Sequence, residues 1–83
     1  MHTLKKHNKN KRLILLTHRL SIGKPIFYDD EAKHFDTSTR TIRRDIDEIS
    51  EHLDLETITI KNDKRRRRAV ILRIFSEKYA NPV

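Results

Sequence analysis

Apolar residues recur along this chain first at helical spacing and later in strict alternation. Leu13, Leu16, Thr17 and Leu20 share one helical face, with Ile14 beside it, and predict a first helix over residues 11–21. Leu15 falls on the outer face of that helix. Asn8 and Asn10 are alternative caps at its start. Gly23 stands just past its end, where a left-handed residue closes a helix, and Pro25 stops continuation. Ile26, Phe27 and Tyr28 read as a short strand or a packed loop. A short second helix is expected over 30–35, capped by Asp29 or Asp30, with Glu31 suited to the first turn. Ala32 and Phe35 are its inward residues, and Asp36 takes the turn that follows.

The third segment has the clearest period. Ile42, Ile46, Ile49 and Leu53 recur at steps of four, three and four, which puts all of them on one face of a helix over 38–53. At about 100° per residue, Arg40 and Arg44 lie opposite that seam, with Thr41 and Arg43 on the flanks. Ser38 is the favoured N-cap and Thr37 its competitor. The free N–H groups and partial positive charge at this helix start suit a phosphate, and Ser38, Thr39 and Thr41 add hydroxyls there.

Residues 56–60 alternate, with Ile58 and Ile60 facing one way and Thr57 and Thr59 the other, so they predict a strand. Its partner is expected over 68–75, with Val70, Leu72 and Ile74 on one side and Ile71, Arg73 and Phe75 on the other. Between them, 61–67 form a basic hairpin tip in which Asn62 and Asp63 tolerate a tight turn. Helix, strand, helix, helix, strand, strand is the order of a small α+β winged helix-turn-helix: three helices plus a C-terminal two-stranded β-hairpin wing. The partition expected is a basic arm over 1–10, the folded domain over 11–75 and a tail over 76–83.

Charge adds a partner to this outline. The chain carries a net charge of +7 from 19 Lys and Arg against 12 Asp and Glu. Five of the basic residues fall in 5–12, three in 40–44 and six in 61–68, so the clusters coincide with the arm, the third helix and the wing. The expected partner is a polyanion, whether nucleic acid or a membrane surface. The longest apolar run near the N-terminus, residues 13–16, is far short of the roughly 20 residues of a membrane span. No membrane association and a cytoplasmic location are expected.

Other chemistries find little support. With no cysteine, the chain has no disulfide framework and no thiolate metal site. His2, His7, His18, His34 and His52 include no pair at the spacing of a helical metal site. Asp29, Asp30 and Glu31 form a carboxylate cluster where a helix needs a cap, and a single glycine leaves no phosphate loop. Neither an enzyme, nor a metal, nor a cofactor is expected.

Phe35, Asp36, Thr37, Ser38, Thr39, Arg40, Thr41, Ile42, Arg43, Arg44, Asp45 and Ile46 together resemble the signature of the DeoR-type winged helix-turn-helix. The same run is similar to the N-terminal module of WYL-domain transcriptional regulators, and Arg12, Leu13 and Leu16 resemble the start of the family's first helix. Asp36 departs from the usual glycine and Thr37 from the usual valine. The resemblance implies double-stranded DNA as partner and sequence-specific transcription regulation, with a repressor favoured. It implies that helix 38–53 lies in the major groove, with Ser38 and Thr41 toward phosphate and Arg40, Arg43 and Arg44 toward base edges or backbone. Asp45 is expected in a salt bridge within the domain. On the wing, Lys64, Arg65, Arg66, Arg67 and Arg68 are expected on the DNA backbone or in the minor groove, because adjacent arginines repel one another until a polyphosphate is present.

Competing readings bear on the same residues. Arg43 with Asp47 and Arg44 with Glu48 have the spacing of surface ion pairs, worth about 0.2–0.5 kcal/mol each. Ile71 and Phe75, expected on the outer side of the wing, would join Leu15 as a homodimer seam or as a dock for an effector domain. An assembly adaptor that keeps the winged fold without reading DNA is the alternative function. RNA is disfavoured because the basic surface lacks stacking aromatics.

Overall fold

The computed structural model describes residues 8–61 and 68–76. The order of elements is α1 (Lys9–Ser21), β1 (Ile26–Phe27), α2 (Tyr28–His34), α3 (Thr39–Leu53), β2 (Thr57–Lys61) and β3 (Arg68–Leu72), followed by a 3₁₀ turn (Arg73–Phe75). Among the described residues, three α-helices pack on a three-stranded antiparallel sheet of order β1-β3-β2. This is the α+β winged helix-turn-helix that the pattern predicted, with β1 added to the hairpin as a third strand.

Helix α1 starts two residues earlier than its periodicity indicated, because Asn8 is the cap: its side chain accepts from the Lys11 N–H at 2.8 Å. All three helices end in one way. The N–H of Gly23 bonds to Leu20 and that of Lys24 to Arg19; the N–H of Asp36 bonds to Lys33 and that of Thr37 to Ala32; the N–H of Asp54 bonds to Glu51 and that of Leu55 to Ser50. Each closure needs one residue at positive φ, and these are Gly23 (φ 81°), Asp36 (φ 56°) and Asp54 (φ 52°). Asp36 therefore performs the turn expected of it.

Helix α2 corrects the expected capping. Neither Asp29 nor Asp30 caps it; the cap position is Phe27, whose side chain makes no capping bond. Pairing of Ile26 with Val70 and Phe27 with Ala69 holds the chain extended up to Phe27, so the helix begins at once with Tyr28. Asp29, Asp30 and Glu31 then occupy its first turn, where negative charge is favoured.

The main core joins Leu16 and Leu20 of α1, Ile26, Ala32 and Phe35, then Ile42, Ile46 and Ile49 of α3, and Val70 and Leu72 of β3. Leu53 does not join it: 51% exposed, it lies in the last turn of α3. A second cluster covers the other face of the sheet. Ile60, Ala69 and Ile71 are buried there, with Phe27, Ile58 and Phe75 packed against them. Ile58 lies opposite Ile71 and Ile60 opposite Ala69, so Ile58 and Ile60 do share a face.

This second cluster takes up Ile71 and Phe75, the residues that with Leu15 offered a homodimer seam or an effector dock. Ile71 is fully buried and Phe75 half-buried, because the strand stops at Leu72 and the 3₁₀ turn carries the Phe75 ring back against Gly23. The same turn breaks the alternation and leaves Ile74 80% exposed. Leu15 remains on the outer face of α1, as expected.

Candidate nucleic-acid interface

The outer face of α3 is built from its cap. Ser38 Oγ accepts from the Thr41 N–H at 3.1 Å and donates to Thr41 Oγ1 at 3.1 Å. The Ser38 hydroxyl is thereby occupied on both sides, whereas the Thr41 hydroxyl keeps its own proton for an outside acceptor. Among the described residues, no hydrogen bond takes the N–H of Thr39 or Arg40. Two free amides and one hydroxyl thus collect at the positive end of a 15-residue helix.

Arg40, Arg43 and Arg44 are all exposed, while Ile42, Ile46 and Ile49 on the same helix are buried. The surface pairs of the competing reading do not form among the described residues. Glu48 bonds instead to Lys9 of α1 at 3.0 Å, and among the described residues none of the three arginines makes an ion pair. Arg43 lies over the Tyr28 ring, 5.4 Å from its centroid. Its charge is held in place there without being neutralised.

The rotation of α3 about its axis is fixed from behind. Asp45 is 2% exposed and accepts from Arg12 of α1, through Nε and, at 3.4 Å, through Nη2. This is the internal salt bridge expected for Asp45. Because a buried carboxylate cannot leave its partner without a large desolvation cost, the pair sets which side of α3 faces outward. Two members of the N-terminal basic cluster, Lys9 and Arg12, are consequently engaged within the fold.

Arg19 of α1 holds α2 in a similar manner, 2.9 Å from Glu31 Oε2. Glu31 is buried and, among the described residues, its Oε1 has no hydrogen-bond partner. Burial pushes its carboxyl above the ordinary 4.5, outweighing the opposite pull of Arg19 and His34. Charge suits Glu31 to the first turn, and its spacing signals the burial: Tyr28, Glu31, Ala32 and Phe35 follow the i, i+3, i+4, i+7 rule of one helical face.

On the wing, Arg68 is exposed at the foot of β3, and the register sets it across from Lys61. Lys64, Arg65, Arg66 and Arg67 lie outside the described residues.

A short helix and a longer one joined by a tight turn, a further helix bracing them and a β-hairpin beside them define a winged helix-turn-helix protein. A family model described as the DeoR-like helix-turn-helix domain matches residues 16–58, from the middle of α1 into β2, which is just over half of the chain. The chain belongs to this family, and it is a DNA-binding protein of transcription regulation. Domains of this kind are typically non-enzymatic. No curated protein and no solved structure matches the chain. Among the described residues, no helix is long and apolar enough to cross a membrane.

Proposed function

We propose that this protein reads double-stranded DNA by sequence and regulates transcription, with α3 in the major groove. The observation that carries this reading is the outward face of α3. Arg40, Arg43 and Arg44 stand exposed on it, with no ion pair among the described residues, on a helix whose back is pinned by Arg12 and Asp45. Arginines that gain nothing from a carboxylate have their donors available for guanine edges and phosphates.

Arg40 and Arg44 are central on that face and suit base edges. Thr41, with the amides of Thr39 and Arg40, suits phosphate, and Ser38 contributes chiefly by capping. Arg68, with Lys64, Arg65, Arg66 and Arg67, supplies the wing's grip on the backbone or minor groove. The DNA-binding unit spans 11–75, flanked by the arm and the tail. Repression is the favoured outcome, since occupancy of a site suffices for it. Action at the nucleoid in the cytoplasm, as a homodimer or with an effector domain, accords with a DNA partner read at paired half-sites about one turn apart.

Selection of an operator from random duplexes, followed by titration against salt, tests the reading. If about six phosphates are neutralised, log K falls against log salt with a slope near −5. No duplex binding at micromolar protein in low salt, or equal affinity for selected and random DNA, would refute it.

A further inference from the structure

Arg43 differs from its two neighbours on the outer face of α3. It lies on a flank of the helix, about 100° round from the residue on either side of it, whereas Arg40 and Arg44 take the centre. Helix α2 runs beside that flank, and its first residue, Tyr28, puts its ring under the Arg43 guanidinium. The ring is itself fixed, since Tyr28 is half-buried and packed against the main core.

A carboxylate was within helical reach. Asp47 stands four residues after Arg43, yet no ion pair joins them among the described residues. The choice of partner has a consequence. An ion pair would cancel the charge and occupy the N–H fork; a ring face restrains the side chain and leaves both for another acceptor. A helix seated in a major groove meets bases at its centre and phosphates at its flanks.

We infer that Tyr28 is a positioning residue for DNA binding: it orders Arg43 in advance as a phosphate contact on the α2 side of the groove. This rests on the proposed DNA reading of α3. Without the ring, Arg43 would have to be immobilised at the moment of binding, and affinity would fall for every sequence alike.

The test is fluorescence anisotropy with a labelled mixed-sequence duplex in low salt, together with melting curves to fix a temperature at which each variant is folded. Tyr28→Leu keeps an apolar side chain for the core and removes the ring; it is expected to weaken binding roughly three- to tenfold. Tyr28→Phe keeps the ring face and should stay within about twofold of wild type. In an Arg43→Ala background, Tyr28→Leu should cause no further loss. Additive losses, or a Phe variant as weak as the Leu variant, would overturn the positioning role, as would a Leu variant that binds like wild type. A wild-type protein that binds no duplex would instead overturn the DNA reading on which the role rests.

Discussion

Asp45, on the hidden side of α3, accepts from Arg12 of α1 at two nitrogens. The pair is nearly dry, with side-chain exposures of 13% and 3%. Removing one member strands the other, so Asp45→Ala is expected to cost about 3–5 kcal/mol in urea unfolding. Arg12→Met combined with Asp45→Leu should recover most of that loss, because well-packed apolar groups often replace a buried pair without penalty. A single mutant as stable as wild type would mean that α3 is held by its isoleucines alone.

The two basic surfaces should separate in binding measurements. Arg44→Ala is expected to cost about 1–3 kcal/mol on a selected operator and much less on random DNA. Arg68→Ala should weaken both alike and reduce the magnitude of the salt slope by about one. Matching losses on both DNAs for Arg44→Ala would remove α3 as the source of specificity.

Glu31 gives stability a pH dependence of unusual sign. Burial raises its folded value above 4.5, so the folded state holds this proton more tightly than the unfolded chain does. Its contribution is fully present below 4.5 and is lost as pH rises through the elevated folded value. Glutamine mimics the protonated form. Glu31→Gln should therefore be no less stable than wild type at neutral pH, and should lack this part of the slope in denaturant unfolding as pH rises above 4.5. If the Gln variant is less stable at neutral pH, the ion pair with Arg19 outweighs the cost of burial.

Gly23 is constrained twice. Its φ is 81°, and a Cβ at this position would come within 2.9 Å of Phe75 Cδ1. Gly23→Ala is expected to lower stability by about 1–3 kcal/mol, read from thermal or urea unfolding. Phe75→Leu should soften the steric part and leave the backbone part.

Much of this arrangement was legible in the residue pattern, and the exceptions share a cause. The isoleucine seam of α3, the Ser38 cap and the alternation of β2 are local, set by neighbours within a few positions. The burial of Ile71 is not local. It depends on Phe27, Ile58 and Phe75, which come from three segments and meet only once the sheet has formed. Glu48 offered the right spacing to Arg44, but Lys9 of another helix reaches it. Tyr28 reaches Arg43 because α2 lies alongside α3, a relation that no spacing encodes. Burial of Glu31 was readable in principle, and its charge concealed it.

The central strand carries one last implication. Strand β3 pairs with both β1 and β2 and supplies Val70 and Leu72 to the main core. It lies wholly beyond residue 58, where the family match ends. During synthesis α3 therefore leaves the ribosome before the segment that locks it, and a nascent chain cut short of residue 72 would carry Arg40, Arg43 and Arg44 without a rigid frame to aim them.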